Sequence, residues 1–249
     1  MSISVRSMFI PDPGYILLDC DLAGADAQVV AWEANDEDLM AAFRAGLKVH
    51  AKNALDMFGP DGPCGPDGKR EPTYSKVKRA VHGTNYGAKP PTMAATTGWS
   101  LEFCAQFQAR WFHLHPAILA WHRAYDRRLR ETRVISNAFG FRRTYFDRDS
   151  LTEALAWVPQ STIAIVCNRG GRAVRADCPW VVPLLQVHDS LVFQIKREDW
   201  GRRHLIHQSL LNPVPYPQPL LINWGLKASA KSWGHVKSVS WDGDEPPPE

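Results

Sequence analysis

The segment Pro183-Leu-Leu-Gln-Val-His-Asp-Ser-Leu-Val-Phe-Gln-Ile195 constrains the fold of this chain more than any other. Its apolar residues form two short runs, 184–187 and 191–195, on either side of His188-Asp189-Ser190. Runs of this length that are rich in Val, Leu, Ile and Phe predict two paired strands joined by a tight turn. A carboxylate held at such a turn, between strands that become buried, needs a partner such as a metal ion. We therefore expect Asp189 to lie at the end of a buried hairpin and to bind a cation.

The segment Tyr15-Ile-Leu-Leu-Asp-Cys-Asp21 complements this hairpin, because it is also an apolar strand that runs into a carboxylate. We predict that Asp21 and Asp189 meet across one sheet and hold divalent metal ions, with the adjacent carbonyl of Leu22 as a further ligand. Mg²⁺ prefers carboxylate, backbone carbonyl and water ligands. Two-metal sites, with ions about 3.5–4 Å apart, stabilise the attacking and leaving oxygens of phosphoryl transfer. The alternative is that each aspartate only closes a turn.

A second set of candidate residues, Lys78, His82 and Tyr86, recurs every four positions, with Gly83 and Gly87 interleaved. This spacing places the three side chains along one stripe of a helix. A lysine can neutralise phosphate oxygens, and the rings of His and Tyr offer flat faces to a nucleobase. A glycine inside a helix costs up to about 1 kcal/mol relative to alanine, which indicates a close approach by another group. The alternative is a helix with one mixed face.

The charge distribution favours a polyanionic partner. Residues 1–60 carry nine acidic and four basic side chains, whereas residues 69–89 carry six basic and one acidic, and residues 110–148 carry nine basic and three acidic. An acidic part beside basic, aromatic-rich parts indicates a polyanion that approaches a metal site. The alternative is that the basic runs are solvated helix faces.

Composition excludes several other classes of protein. No apolar run approaches the roughly 18 residues of a membrane span, and the first residues do not resemble a signal peptide. The five cysteines are scattered and never form a CxxC pair, which favours a reduced, cytoplasmic compartment without structural zinc. His113, His115 and His122 lack an accompanying Cys or carboxylate at metal-ligand spacing, so we interpret them as surface or packing residues.

The rest of the chain is predicted to be mainly helical, which makes the fold class α+β. Helices are expected over residues 25–34, 37–45 (capped by Asn35 or Asp36), 48–58, 74–86 (capped by Thr73), 92–99, 101–112, 117–131, 150–167 (kinked or broken at Pro159) and 198–211. Strands are expected as one or two over residues 5–21, as a hairpin of 134–137 with 141–146, and at 220–224. Loops are expected at residues 59–72 and at Arg169-Gly170-Gly171-Arg172.

Three motifs occur in a fixed order: Asp21-Leu-Ala-Gly-Ala-Asp26, Lys78-Arg-Ala-Val-His-Gly-Thr-Asn-Tyr-Gly87 and Gln186-Val-His-Asp189. They resemble the first palm motif, the nucleotide-closing fingers helix and the third motif of family A DNA polymerases, in particular phage-type members. Weaker matches extend the resemblance over residues 5–235. The resemblance implies an antiparallel palm sheet with packed helices plus a helical fingers subdomain. Its expected limits are palm at 1–45 and 134–235, fingers at 46–133, and an acidic, Pro-rich, disordered tail at 236–249.

The resemblance also implies a DNA-directed DNA polymerase mechanism and a role for each matching residue. Asp21, the Leu22 carbonyl and Asp189 would hold two Mg²⁺ ions, for which Mn²⁺ can substitute. Lys78 would contact the triphosphate and protonate the leaving group. His82 would stack near the incoming base, and Tyr86 would guard the templating position. The remaining implied contacts are Asp26 with the sugar, Gln160 and His188 with the primer–template terminus, and Arg142 and Arg143 with the DNA backbone.

Three residues depart from the family pattern, and two other functions stay open. Asp26 stands where a glutamate is usual, Tyr74 where an arginine is usual, and Ser190 where an acid is usual. The partners implied are primer–template DNA, dNTPs and, because the resemblance covers only palm and fingers, a separate polypeptide that carries the thumb and exonuclease. The alternatives are a non-catalytic nucleic-acid-binding module derived from a polymerase, and another two-metal enzyme such as a nuclease. The stripe of Lys78, His82 and Tyr86 argues against a nuclease, which has no incoming nucleotide to stack.

Overall fold

A computed structural model of the chain describes residues 5–147, 150–243 and 245–248. The chain divides into two compact units. We call them the sheet unit, which comprises Met1–Ala25 and Thr162–Glu249, and the helical unit, which comprises Asp26–Ser161. The predicted α+β class is confirmed, because helices accompany an antiparallel five-stranded sheet. The predicted limits of palm and fingers stay a prediction.

The strands are numbered β1 to β7 and the helices α1 to α9 in the order in which they occur along the chain. The strands are β1 (Tyr15–Leu22), β2 (Val134–Ser136), β3 (Arg142–Thr144), β4 (Val182–Val187), β5 (Ser190–Lys196), β6 (Trp224–Ser229) and β7 (Lys237–Val239). The helices are α1 (Ala25–Ala34), α2 (Glu37–Arg44), α3 (Val49–Phe58), α4 (Thr73–Asn85), α5 (Pro90–Thr97), α6 (Leu101–Leu114), α7 (Pro116–Thr132), α8 (Leu151–Asp177) and α9 (Arg203–Leu210). Short 3-10 helices cover Val5–Met8, Arg197–Arg202 and Trp233–His235.

The sheet has the strand order β4-β5-β1-β6-β7, and each neighbouring pair is antiparallel. The predicted hairpin around Asp189 is confirmed as β4 and β5, but the expected burial of both strands is wrong. Only β5 is buried, because β4 lies at the edge of the sheet, and Asp189 at the turn is exposed. Because side chains alternate along a strand, Ile16, Leu18 and Cys20 of β1 share one fully buried face. Leu17, Asp19 and Asp21 share the other face. The first face forms the apolar core of the sheet unit, and the second carries the polar groups.

Helix α8 corrects the prediction of a loop at the glycine pair, through which it runs continuously. It also contains Pro159, so that residue does not break the helix. The glycines permit close packing at that position. A Cβ atom at Gly170 would lie 3.2 Å from the Leu210 side chain and 3.5 Å from Trp224. A Cβ atom at Gly171 would lie 3.6 Å from the Leu191 side chain. The pair therefore marks a contact between α8 and its neighbours, not a chain reversal.

In the helical unit, the end of α4 is anchored by two neighbouring helices. The indole Nε1 of Trp111 on α6 donates to Asn85 Oδ1 at 2.9 Å, and His122 Nε2 on α7 lies 2.8 Å from the Asn85 carbonyl oxygen. Burial lowers the pKa of His122, so the ring is neutral and donates this hydrogen bond. His122 is thus a packing residue, as predicted.

The sequence predicted the capping residue of two helices, correctly for α2 and wrongly for α4. Asp36 caps α2, because its Oδ1 accepts from the Leu39 N–H at 3.0 Å. Thr73, however, is the first residue of α4 and not its cap, which is Pro72. The side chain of Glu71 instead accepts from the Ser75 N–H and hydroxyl. The Glu71 side chain thus accepts the hydrogen bonds at the start of α4 that were expected to go to Thr73.

The two ends of the chain differ most from prediction. Residues Val5–Met8 form a 3-10 helix instead of a strand, and the last predicted strand lies later, at Trp224–Ser229. Of the predicted disordered tail, Asp244 and Glu249 lie outside the described residues. Trp241 stacks on His207 with ring centroids 4.8 Å apart and donates to the Trp224 carbonyl oxygen. Among the helices that the structure describes, none is long and apolar enough to cross a membrane.

Candidate metal and nucleotide sites

The acidic site of the sheet unit is built by strand register. Asp21 of β1 pairs with Ser190 of β5, the residue that directly follows Asp189. The Leu22 N–H donates to the Asp189 carbonyl oxygen at 3.1 Å. His188 completes the turn with φ of 55°, a conformation that residues other than glycine rarely adopt. The register therefore brings the ends of the two predicted metal-binding segments together, although they lie far apart in sequence.

The charges around this site suit a cation. Asp21 is partly exposed, and its Oδ1 lies 3.2 Å from the ammonium of Lys227, which occupies the adjacent strand β6. Burial, with a contribution from the negative charge of Asp189, raises the pKa of the Cys167 thiol on α8 to about 12. The ammonium shows that this position accepts positive charge. Carboxylate and carbonyl oxygens are the donors that Mg²⁺ prefers, so the residues fit a magnesium site.

The stripe on α4 lies in the helical unit. Lys78 and His82 are exposed, whereas Tyr86 follows the last helical residue and is buried. The His82 and Tyr86 rings lie 4.5 Å apart at 63°. Lys78 forms no ion pair among the described residues, which leaves its ammonium accessible to a ligand. Gly87 adopts φ of 74°, and a Cβ atom there would lie 3.2 Å from Leu155.

Asp26 connects the start of α1 to this stripe. One of its carboxylate oxygens accepts a hydrogen bond from the Tyr86 hydroxyl. The other lies 3.0 Å from His82 Nδ1. Burial and the charge of Asp26 raise the pKa of Tyr86 well above its usual value, so the phenol stays protonated and donates. The structure thus groups three of the four predicted nucleotide-binding residues through direct contacts.

His50 is a residue near this group to which no role was assigned from sequence. It is partly buried on α3, and its Nδ1 has no hydrogen-bond partner in the described part of the chain. Burial, followed by the positive charges of Lys78 and His82, lowers the pKa of His50 to about 4. A His with a free, buried nitrogen beside cations is a candidate ligand for an anion.

The residues predicted to contact DNA occupy several elements. Gln160 is exposed on α8, and His188 is exposed at the turn beside Asp189. Arg142 is exposed on β3. Its neighbour Arg143 forms an ion pair with Glu153 and lies over the Tyr145 ring at 5.0 Å. Arg142 therefore has the freer guanidinium of this pair.

One further cluster has the composition of a metal site: Asp36, Asp38 and His115 lie close together. Folding thus supplies His115 with the carboxylates that its sequence neighbours lack. Their oxygens are occupied, however. Asp36 accepts from a backbone N–H of α2 and lies 3.1 Å from His115 Nδ1, and Asp38 pairs with Lys52. These contacts favour a structural helix cap, which agrees with the packing role predicted for His115.

The chain is similar to several known DNA polymerases. The chain is 26% identical over 242 residues to the DNA polymerase of Mycobacterium phage D29, and 27% identical over 252 residues to the thermostable DNA polymerase I of Thermus filiformis. These matches cover 96% and 94% of this chain. The chain spans only 38% of the phage protein and 29% of the Thermus protein.

The fold is similar to that of the POL domain of Pol1 from M. smegmatis, solved in complex with DNA primer-template and dNTP. The TM-score is 0.79 at 21% identity, over 93% of this chain and 42% of that chain. The family described as DNA polymerase family A matches residues 1–234. Since this match covers most of the sequence, the chain belongs to family A of the DNA polymerases.

Proposed function

We propose that the chain catalyses DNA-templated nucleotidyl transfer by a two-metal mechanism. The observation that carries this proposal is the register of β1 and β5, which sets Asp21 opposite Ser190 and beside the turn of Asp189. Membership in the polymerase family supports the same conclusion. Primer–template DNA and dNTPs are the proposed substrates.

The acidic site is proposed to hold two Mg²⁺ ions through Asp21, the Leu22 carbonyl and Asp189, and Mn²⁺ can substitute for them. Bound there, the ions supply the positive charge that activates a primer 3′-hydroxyl and neutralises a triphosphate. The Leu22 N–H contact with the Asp189 carbonyl holds the turn against β1. Lys227, which contacts Asp21 at 3.2 Å, must release that oxygen when a metal ion binds.

The stripe on α4 is proposed to bind the incoming nucleotide. Lys78 contacts the phosphates, because its exposed ammonium forms no ion pair with another described residue, and it donates a proton to the pyrophosphate leaving group. His82 stacks near the base, and Tyr86 guards the templating position. His50 supplies a further contact to the triphosphate. An anion beside the ring stabilises the protonated imidazole and so offsets part of the free-energy cost of burying its charge.

Sugar selection is assigned to Asp26. Its carboxylate is one methylene shorter than the glutamate usual in the family, but Tyr86 and His82 each hold one of its oxygens. A carboxylate held in this way has little freedom to rotate away from a ribose 2′-hydroxyl. Gln160 and His188 are proposed to contact the primer–template terminus, and Arg142 and Arg143 the DNA backbone.

Primer extension tests the proposal. Wild-type chain should extend a primer in the presence of Mg²⁺, and Asp21→Ala or Asp189→Ala should abolish extension. Asp177→Ala, which removes an exposed aspartate of the same unit, is the matched control and should retain activity. Extension that survives Asp189→Ala would refute the metal assignment. Wild-type chain that binds primer–template but never extends it would support the non-catalytic binding module instead.

A separate polypeptide that carries a thumb and exonuclease is proposed as a partner, because the relatives are much longer than the part that this chain matches. Such a partner should increase the affinity for duplex DNA and reduce its sensitivity to salt. The assay is therefore repeated with the polypeptide encoded next to this one. Equal DNA affinity with and without that polypeptide would remove it from the proposal.

A further inference from the structure

Asp19 is a buried acid for which the functions above give no reason. It lies on β1, two residues before Asp21 and on the same face of the sheet, and only 4% of its surface is exposed. One carboxylate oxygen accepts from the Ser190 hydroxyl, and the other accepts from the indole Nε1 of Trp233 at 2.8 Å. Neither donor is a cation. A carboxylate buried with two neutral donors is costly to place in a sheet, so its presence calls for a specific explanation.

The contact with Ser190 links Asp19 to the turn that carries Asp189. Ser190 directly follows Asp189, and it pairs with Asp21 across the two strands. On the other side of the turn, the Leu22 N–H donates to the Asp189 carbonyl oxygen. Asp189 is thus held by two tethers to β1, one through its own carbonyl and one through the next side chain. The second tether exists because residue 190 is a serine, whose hydroxyl donates to the Asp19 carboxylate.

We propose that Asp19 is a positioning residue of the metal site. It orients the Asp189 turn through the Ser190 hydroxyl. This inference rests on the proposed metal site. The Trp233 contact to the same carboxylate serves packing, because Trp233 belongs to a small core cluster with Leu17 and Val192. The two donors of one carboxylate therefore provide a matched pair of variants.

The test is Mn²⁺ binding to the full chain, measured by electron paramagnetic resonance without DNA or nucleotide. Ser190→Ala removes the tether and should weaken Mn²⁺ binding about tenfold, the effect typical of partners that orient metal ligands. Ser190→Thr keeps the hydroxyl and should bind like the wild type. Trp233→Phe removes the other donor, so it should lower the melting temperature and leave Mn²⁺ affinity unchanged. Asp19→Ala removes the acceptor, so it should bind Mn²⁺ as weakly as Ser190→Ala, and combining the two changes should weaken binding no further.

Two results would overturn the inference: Mn²⁺ affinity unaffected by Ser190→Ala, or weakened equally by Ser190→Ala and Trp233→Phe. Ser190→Ala keeps the test decisive even if Asp19→Ala fails to fold. Asp21→Asn separates this inference from the function on which it rests. Mn²⁺ binding that is lost in Asp21→Asn but intact in Ser190→Ala rejects Asp19 alone. Binding that is intact in Asp21→Asn rejects the metal site itself, and the inference with it.

Discussion

In the sheet unit, Asp21 and Asp189 are distant in sequence and are brought together by the pairing of β1 with β5. In the helical unit, Lys78, His82 and Tyr86 follow one another at intervals of four along α4 and its last turn. The first arrangement depends on the register of a sheet, in which a slip of one residue would turn every side chain to the opposite face. The second depends only on helical periodicity. The acidic site should therefore be sensitive to distant contacts, and the stripe mainly to its own residues.

Within the helical unit, the largest effect is expected where the stripe meets the substrate. Lys78→Ala removes the cation proposed to bind the triphosphate, and it should lower kcat/KM for dNTP about 100-fold, as loss of one preorganised charge contact typically does. Arg130→Ala, which removes a cation from the exposed surface of α7, is the control and should have little effect. Single-nucleotide insertion kinetics measure both. Equal losses in the two variants would show that general positive charge, and not the stripe, matters.

The stripe nevertheless depends on its anchor at Asn85, and this is the next largest expected effect. Asn85→Ala leaves the buried Nε1 of Trp111 without an acceptor and should destabilise the chain by about 1–3 kcal/mol. The melting temperature should fall by about 2–4 °C for each kcal/mol. Adding Trp111→Phe removes the orphaned donor, so the double variant should lose less than the sum of the two single changes. Strictly additive losses in thermal melts would contradict the proposed anchor.

The choice between deoxyribose and ribose tests whether changing the length of the Asp26 side chain alone alters selectivity. Asp26→Glu extends the carboxylate by one methylene and should raise the ratio of dNTP to rNTP incorporation about tenfold, which lies in the range expected for one methylene in a binding pocket. Competitive incorporation of dNTP and rNTP measures the ratio. If the ratio does not change, residues other than Asp26 select the sugar.

A smaller effect is expected from Lys227 in the sheet unit. Lys227→Gln removes the ammonium that contacts Asp21, and it should strengthen Mn²⁺ binding by about two- to fivefold, since both partners are partly exposed and such pairs contribute about 0.2–1 kcal/mol. Lys231→Gln, a nearby change of equal charge, should alter binding less. Titration by electron paramagnetic resonance distinguishes the two. Weaker binding in Lys227→Gln would mean that the lysine supports the site and does not compete with the metal ion.

A last effect concerns His50 and acid stability. Its pKa is about 4 in the folded chain and about 6.5 when unfolded, so below pH 6.5 the unfolded state takes up a proton that the folded state does not. Stability should therefore fall as the pH decreases from 6.5 towards 4. The melting temperature of His50→Gln should fall less than that of the wild type between pH 7 and 5. A parallel decrease in both proteins would place the acid sensitivity in other groups.

Helices and single strands were predictable because their signals are local. Helix α1 matches its predicted bounds, and α2, α3, α6 and α7 end within a few residues of theirs. The hairpin around Asp189 was predictable from its two short apolar runs and the polar turn residues between them. Helix α8 was not, because packing of Gly170 against Leu210 and Trp224 outweighs the usual tendency of a glycine pair to end a helix. Strand β6 was predicted too early, at residues 220–224, and β7 was missed because it lies in the segment that was predicted to be a disordered tail.

The sequence by itself determined the fold class, the family, the candidate acids and the residues of the stripe. Each of these could be recognised from residue types that recur at short, regular spacing. Only the tertiary structure decided which groups touch. It placed Ser190 opposite Asp21, gave each oxygen of Asp26 a separate donor, left a nitrogen of His50 free, and buried Asp19 beneath Trp233. These contacts join distant residues, and strand register and packing, not local propensity, set their geometry.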